Sequence, residues 1–199
     1  MIVMTKPNRT IRDRILLPKR KASINSKVKG NLNERKVAKW LSAWTGKEFV
    51  RTPQSGGIRW QNSLGLNICG DVVCTEQHHH FPFTVENKHL KGISFDTNWD
   101  DYLRKNTRVL TIFKQVQRDS ERDRRIPMLI LRGNGMPENT WWVFLPMYIY
   151  LQVTSLGNVK RVNISKVYGR LIAGNSDIIG IHSNDLMMCS YGKLCDALD

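Results

Sequence analysis

Asn67-Ile68-Cys69-Gly70-Asp71-Val72-Val73-Cys74-Thr75, followed shortly by Phe83-Thr84-Val85-Glu86-Asn87-Lys88, is the pair of runs on which the fold turns. Both are short, apolar and rich in β-branched or aromatic residues, so the sequence predicts two β-strands over about 67–75 and 82–90. His78-His79-His80 then falls at the turn between them and reads as a solvated hairpin tip. Side chains two apart on a strand share a face. Glu86 and Lys88 therefore point one way, Val85 and Asn87 the other, and Asp71 on the neighbouring strand can meet the first pair. Charges in such runs are costly to bury unless something pairs with them.

Working outward, Val37, Leu41 and Trp44 recur at helical spacing after Gly30, with Gly46 as the stop, and predict a helix. Glu34 lies three before Val37, at the top of that apolar stripe. One reading is a capping box in which Asn31 is the N-cap; the other sets Glu34 beside Asp71 and Glu86 as a third acid. Phe49-Val50-Arg51-Thr52 predicts a short strand, and Pro53-Gln54-Ser55-Gly56-Gly57 a loop. Ser55 with two glycines would let backbone N–H groups approach a phosphate. Residues 58–66 read as an irregular connection. A second helix is predicted over about 106–119, with Val109, Ile112, Phe113 and Val116 inward and a basic exterior; Gln115 and Gln117 read as exposed glutamines or as contacts to the site. Residues 127–131 and 141–145 read as strands.

The 199 residues carry a formal charge of +14 and a pI near 9.9. A basic excess of this size points to a polyanion, above all nucleic acid. Residues 1–29 hold nine cations against the single acid Asp13, a net of +8, and read as a basic flexible arm that tracks phosphates. The four cysteines form no CxxC pair, and Cys69 and Cys74 bracket Asp71 at a spacing unlike a zinc knuckle. Reduced thiols and an intracellular, cytoplasmic location are expected. No apolar run is long enough to span a membrane.

Two carboxylates and a lysine on one patch suit metal-dependent phosphodiester cleavage. Asp71, Glu86 and the main-chain carbonyl of Asn87 offer oxygen ligands for Mg²⁺, with Mn²⁺ able to substitute, and Glu34 is a further candidate. Lys88 can orient the attacking water or offset transition-state charge. An exposed strand face with a cross-strand ion pair is the competing reading of Glu86 and Lys88.

The order Gly30…Glu34-Arg35, Arg51…Ser55-Gly56, Asp71, Glu86-x-Lys88 resembles the PD-(D/E)XK nuclease superfamily. Within it, the chain is most similar to archaeal-type Holliday junction resolvases and their phage relatives, over about residues 29–145. The resemblance implies an α/β fold of the restriction-endonuclease type: a central mixed β-sheet flanked by helices, here with the basic arm. It implies Asp71 and Glu86 as metal ligands, Lys88 as catalytic lysine, Glu34 as helical acid and Ser55 as the loop serine near the scissile phosphate. It also implies a homodimer that nicks opposed strands of branched DNA, without a small-molecule cofactor. The chain departs from that pattern in having Gly70 rather than proline before Asp71 and a long stretch between Ser55 and Asp71. Domains are expected as an arm over 1–29, a nuclease core over 30–150 and a C-terminal extension packed on the core over 151–199. Arg35, Arg51, Arg59, Lys91, Arg104, Lys105 and Arg108 are the expected DNA contacts. Trp60, beside Arg59, is a candidate for stacking on open bases. A nuclease of the same fold acting on other DNA, or a DNA-binding protein that does not cut, are the alternatives.

Overall fold

A computed structural model describes residues 26–52, 60–61, 67–76, 79–105, 107–150, 168–170 and 177–198. The expectations for residues 1–25 of the arm, Ser55 and Arg59 lie outside these residues, as do those for the side chains of Trp60 and Arg104.

A seven-stranded mixed sheet forms the middle layer. In chain order its strands are β1 (Phe49–Arg51), β4 (Val72–Cys74), β5 (Phe83–His89), β6 (Ile126–Arg132), β7 (Trp142–Pro146), β8 (Tyr168–Arg170) and β9 (Asp177–His182). Their spatial order is β1-β4-β5-β6-β7-β9-β8. Among the described residues only β5 and β6 pair in parallel, with Glu86 opposite Leu129 and Lys88 opposite Leu131. A parallel pair needs a long crossover, which α2 (Trp99–Lys105) and α3 (Arg108–Arg122) supply. Two short strands, β2 (Trp60–Gln61) and β3 (Asn67–Ile68), pair separately.

Helix α1 (Ser26–Thr45) covers one face. Its Val37, Leu41 and Trp44 pack with Val72, Val85, Met128 and Ile130. Gly46 ends it at φ +70°, its N–H donating to the Ser42 carbonyl at 2.9 Å. On the other face α3 buries Val109, Phe113 and Val116 against Leu129, Leu131 and Phe144. Pro127 to Leu131 are buried because β6 is covered on both faces.

Five expectations need correction. Helix α1 already contains residues 26–29, and it runs through Gly30 and Asn31, so Asn31 is not its N-cap. Residues 67–75 are not one strand but β3 and β4, broken at Gly70 and Asp71. His79 is half-buried, its Nε2 hydrogen-bonded to the Tyr191 hydroxyl at 2.8 Å, rather than a solvated tip. The region beyond residue 150 does more than pack on the core: β9 pairs with β7 inside the sheet, and the helices Ser183–Met187 and Tyr191–Asp196 close the α1 face through Leu186, Tyr191 and Leu194. The Trp44 indole binds the Cys189 carbonyl across this contact at 3.0 Å.

Candidate active site

The site begins at the break between β3 and β4. Gly70 has φ +114°, and a Cβ there would lie 2.7 Å from the Val85 carbonyl oxygen. Only glycine fits so close a backbone approach at positive φ. Asp71 follows, its N–H donating to the Val85 carbonyl at 2.8 Å and its own carbonyl accepting from Thr52 N–H at 2.9 Å. Ahead of the break, Cys69 N–H donates to Asp123 Oδ2 at 2.8 Å, which ties the run to the end of α3. The Asp71 side chain is thereby turned onto β5, where Oδ2 accepts the Asn87 N–H at 2.9 Å.

Alternation along β5 does the rest. Val85 and Asn87 are buried, whereas Glu86 and Lys88 are half-buried and form an ion pair with each other. On α1, Glu34 is only 8% exposed and is paired with the Nε of Arg51 on β1. Burial first, and the nearby Glu86 second, raise the Asp71 carboxyl to about 7; the Asn87 N–H and Lys88 pull the other way, and Glu34 adds to the rise. Burial would depress the Lys88 ammonium, but Glu86, Asp71 and Glu34 together outweigh it and raise its pKa. The patch thus gathers more negative charge than its cations offset.

Two buried residues at the site carry no role in the sequence reading. Asn33, one residue before Glu34, donates from Nδ2 to Asn87 Oδ1 at 2.9 Å and accepts from the Trp141 indole at 3.2 Å. Its signal was available: Asn33 lies four before Val37 on the apolar stripe, where an amide needs partners. Thr52, beside Asp71, is 2% exposed and its hydroxyl has no partner among the described residues. Nothing local in the sequence marks that burial.

Among the expected DNA contacts, Arg35, Lys91 and Arg108 are exposed, Lys105 is paired with Asp101 at 2.8 Å, and Arg51 is turned inward to Glu34. Gln115 is exposed and Gln117 half-buried. Trp99, Trp141 and Trp142 belong to the core.

Asp71, Glu86 and the Asn87 carbonyl are hard oxygen donors. Among the described residues no group of three or more His, Cys, Asp or Glu side chains could hold a metal ion, so no zinc-type cage is formed. One or two carboxylates, a carbonyl and waters nevertheless suit Mg²⁺ or Mn²⁺, which dehydrate reluctantly. The crowding that raises Asp71 is what a cation would relieve.

No curated protein and no solved structure matches the sequence. Residues 25–176 do match the family described as "Phage putative PDDEXK endonuclease". That span holds α1, the broken strand before Asp71, the Glu86-x-Lys88 strand and the crossover helices, about three quarters of the sequence, and by it the chain belongs to the phage PDDEXK endonuclease family.

Proposed function

We propose that the protein is a divalent-metal-dependent endodeoxyribonuclease whose substrate is branched DNA, foremost the four-way junction, nicked in pairs by a homodimer inside the cell. The observation that carries the hydrolytic reading is the convergence of Asp71, Glu86 and Lys88 at the break between β3 and β4. Divalent ions are general in PD-(D/E)XK nucleases, and here Asp71, Glu86 and the Asn87 carbonyl would hold one. Such an ion polarises a phosphoryl oxygen and a water.

The chain's own groups divide the remaining work. Lys88 lies beside Glu86, and against the lowering effect of burial that carboxylate, with those of Asp71 and Glu34, raises its pKa. It can orient or activate the attacking water, or offset charge in the transition state. Arg51 neutralises Glu34 and holds it on the α1 side of the patch. Burial of Asp71 keeps bulk water off one side of the site, where electrostatic interactions are stronger. Ser55 is assigned to the scissile phosphate.

The +14 charge supports DNA as the partner, and the motif order from Glu34-Arg35 to Lys88 supports the junction. Among the described residues no helix is long and apolar enough to cross a membrane. Incubating the protein with a four-way junction, a linear duplex and single strands, with Mg²⁺ or with chelator, tests the reading. Symmetric paired nicks on the junction alone are expected. End-dependent degradation would replace the junction by another DNA substrate, and tight binding without cleavage in Mg²⁺ or Mn²⁺ would leave a DNA-binding protein.

Binding should also weaken steeply with salt, because each neutralised phosphate adds roughly 0.9 to the slope of log affinity on log salt. Residues 1–25 precede α1 and carry seven cations against one acid. Deleting them should flatten that slope by several units; an unchanged slope in a fluorescence-anisotropy titration would show that the arm contacts no phosphate.

A further inference from the structure

The residues around Asn33 form a continuous buried chain of hydrogen bonds. The Trp141 indole donates to Asn33 Oδ1 at 3.2 Å, Asn33 Nδ2 donates to Asn87 Oδ1 at 2.9 Å, and Asn87 N–H donates to Asp71 Oδ2 at 2.9 Å. Trp141 is fully buried, and Asn33, Asn87 and Asp71 are each 6% exposed. The links cross four parts of the fold: the residue before β7, α1, β5 and the break before β4.

The chain has a direction. An indole N–H can only donate, so Trp141 fixes the oxygen of Asn33 toward itself and the amide nitrogen toward β5. That nitrogen requires an acceptor, which fixes the Asn87 amide in turn. Trp141 cannot easily shift, because its backbone N–H donates to Ser183 Oγ at 3.0 Å and its ring packs against Trp40. With its side chain clamped on the α1 face, Asn87 has its backbone N–H directed at Asp71. In an extended strand the N–H and C=O of one residue face the same neighbouring strand. The Asn87 carbonyl is then turned to the Asp71 side as well, where the ladder with β4 is interrupted.

We propose that Asn33 is a positioning residue which, through the Asn87 amide, sets the Asn87 peptide and hence two of the oxygen donors of the metal site, the Asp71 carboxylate and the Asn87 carbonyl. This rests on the endonuclease reading. Trp141 is the outer anchor of the same chain. Outer partners of metal ligands typically contribute 10–100-fold to metal affinity, and a two-step relay through a peptide belongs at the lower end of that range.

The test is calorimetric titration of the full-length protein with Mn²⁺ in the absence of DNA, beside melting temperatures in chelator and junction binding in chelator. Asn33→Ala is expected to weaken Mn²⁺ binding about tenfold. Junction binding in chelator should be unchanged, since phosphate contacts dominate it. Trp141→Phe keeps most of the ring and removes the donor, and should weaken Mn²⁺ binding in the same direction by a smaller factor. A purely structural role would lower the melting temperature and leave Mn²⁺ affinity at the wild-type value, and that result in Asn33→Ala would overturn the proposal. Should Asn33→Ala not fold, unaltered Mn²⁺ affinity in Trp141→Phe would overturn it instead. Equal Mn²⁺ affinity in wild type and Asp71→Asn would strike the endonuclease reading itself, and the relay with it.

Discussion

Asp71→Asn is expected to abolish cleavage and, in the same protein without metal, to raise stability at neutral and alkaline pH. The first half follows from the loss of a charged ligand. Removing an outer partner of a metal costs roughly 10–100-fold, so removing the buried carboxylate itself should exceed that range and leave no measurable nicking, while junction binding in chelator persists. The second half follows from proton linkage. Burial and the neighbouring Glu86 raise the folded Asp71 carboxyl to about 7, against about 3.9 in an unfolded chain. Between those values the folded state binds more protons than the unfolded one, so stability falls as pH rises from about 4 to 7 and stays lost above it. Asparagine keeps an oxygen for the Asn87 N–H and carries no charge.

The gain at pH 8 should be on the order of a few kcal/mol, seen as a rise of roughly 5–10 °C for a chain of this size. It should shrink as the pH approaches 4. Saturating Mn²⁺ should then raise the melting point of wild type and leave that of the variant where it is. Thermal melts at pH 5 and pH 8, in chelator and in Mn²⁺, check all of this. A variant less stable than wild type at pH 8 in chelator would contradict the electrostatic account of the site.

Gly70→Ala is expected to be strongly destabilising. At φ +114° an alanine is strained, and its Cβ would lie 2.7 Å from the Val85 carbonyl oxygen and 3.2 Å from the Val85 nitrogen. Those atoms are backbone in the centre of β5 and cannot swing aside. The left-handed region alone costs about 1–2 kcal/mol, and parting β5 from the break adds to it, for a total of roughly 2–4 kcal/mol. The Asp71 N–H bond to Val85 is the one the methyl pushes open. Nicking should therefore fall far more than the folded fraction does. Circular dichroism melts and single-turnover nicking below the midpoint separate the two effects; full activity in the folded fraction would mean that Asp71 is placed independently of this contact.

Much of the fold is legible locally. Val37, Leu41 and Trp44 mark α1, and Val109, Phe113 and Val116 mark α3, because a helix repeats its buried face every three or four residues. The apolar runs at 127–131 and 141–145 mark β6 and β7 within one residue at either end. Glu86 and Lys88 were readable as one face of a strand, and Glu34 as an acid out of place on an apolar stripe. The C-terminal strands were not readable in this way. Residues 177–182 become β9 because β7 offers a free edge, and no spacing within the segment states that partner. The same holds for His79, whose burial depends on Tyr191 more than a hundred residues away.

The residues proposed to carry the chemistry could be picked out from the sequence by itself, since charge type and strand or helix period are properties of neighbouring residues. Tertiary structure alone decided how they meet. The close pass of Gly70 over Val85 turns Asp71 onto Asn87, and α1 docks so that Asn33 and Glu34 reach β5 and β1. These contacts join segments far apart in the chain, and their geometry is set by packing the two faces of one sheet, which no local pattern encodes.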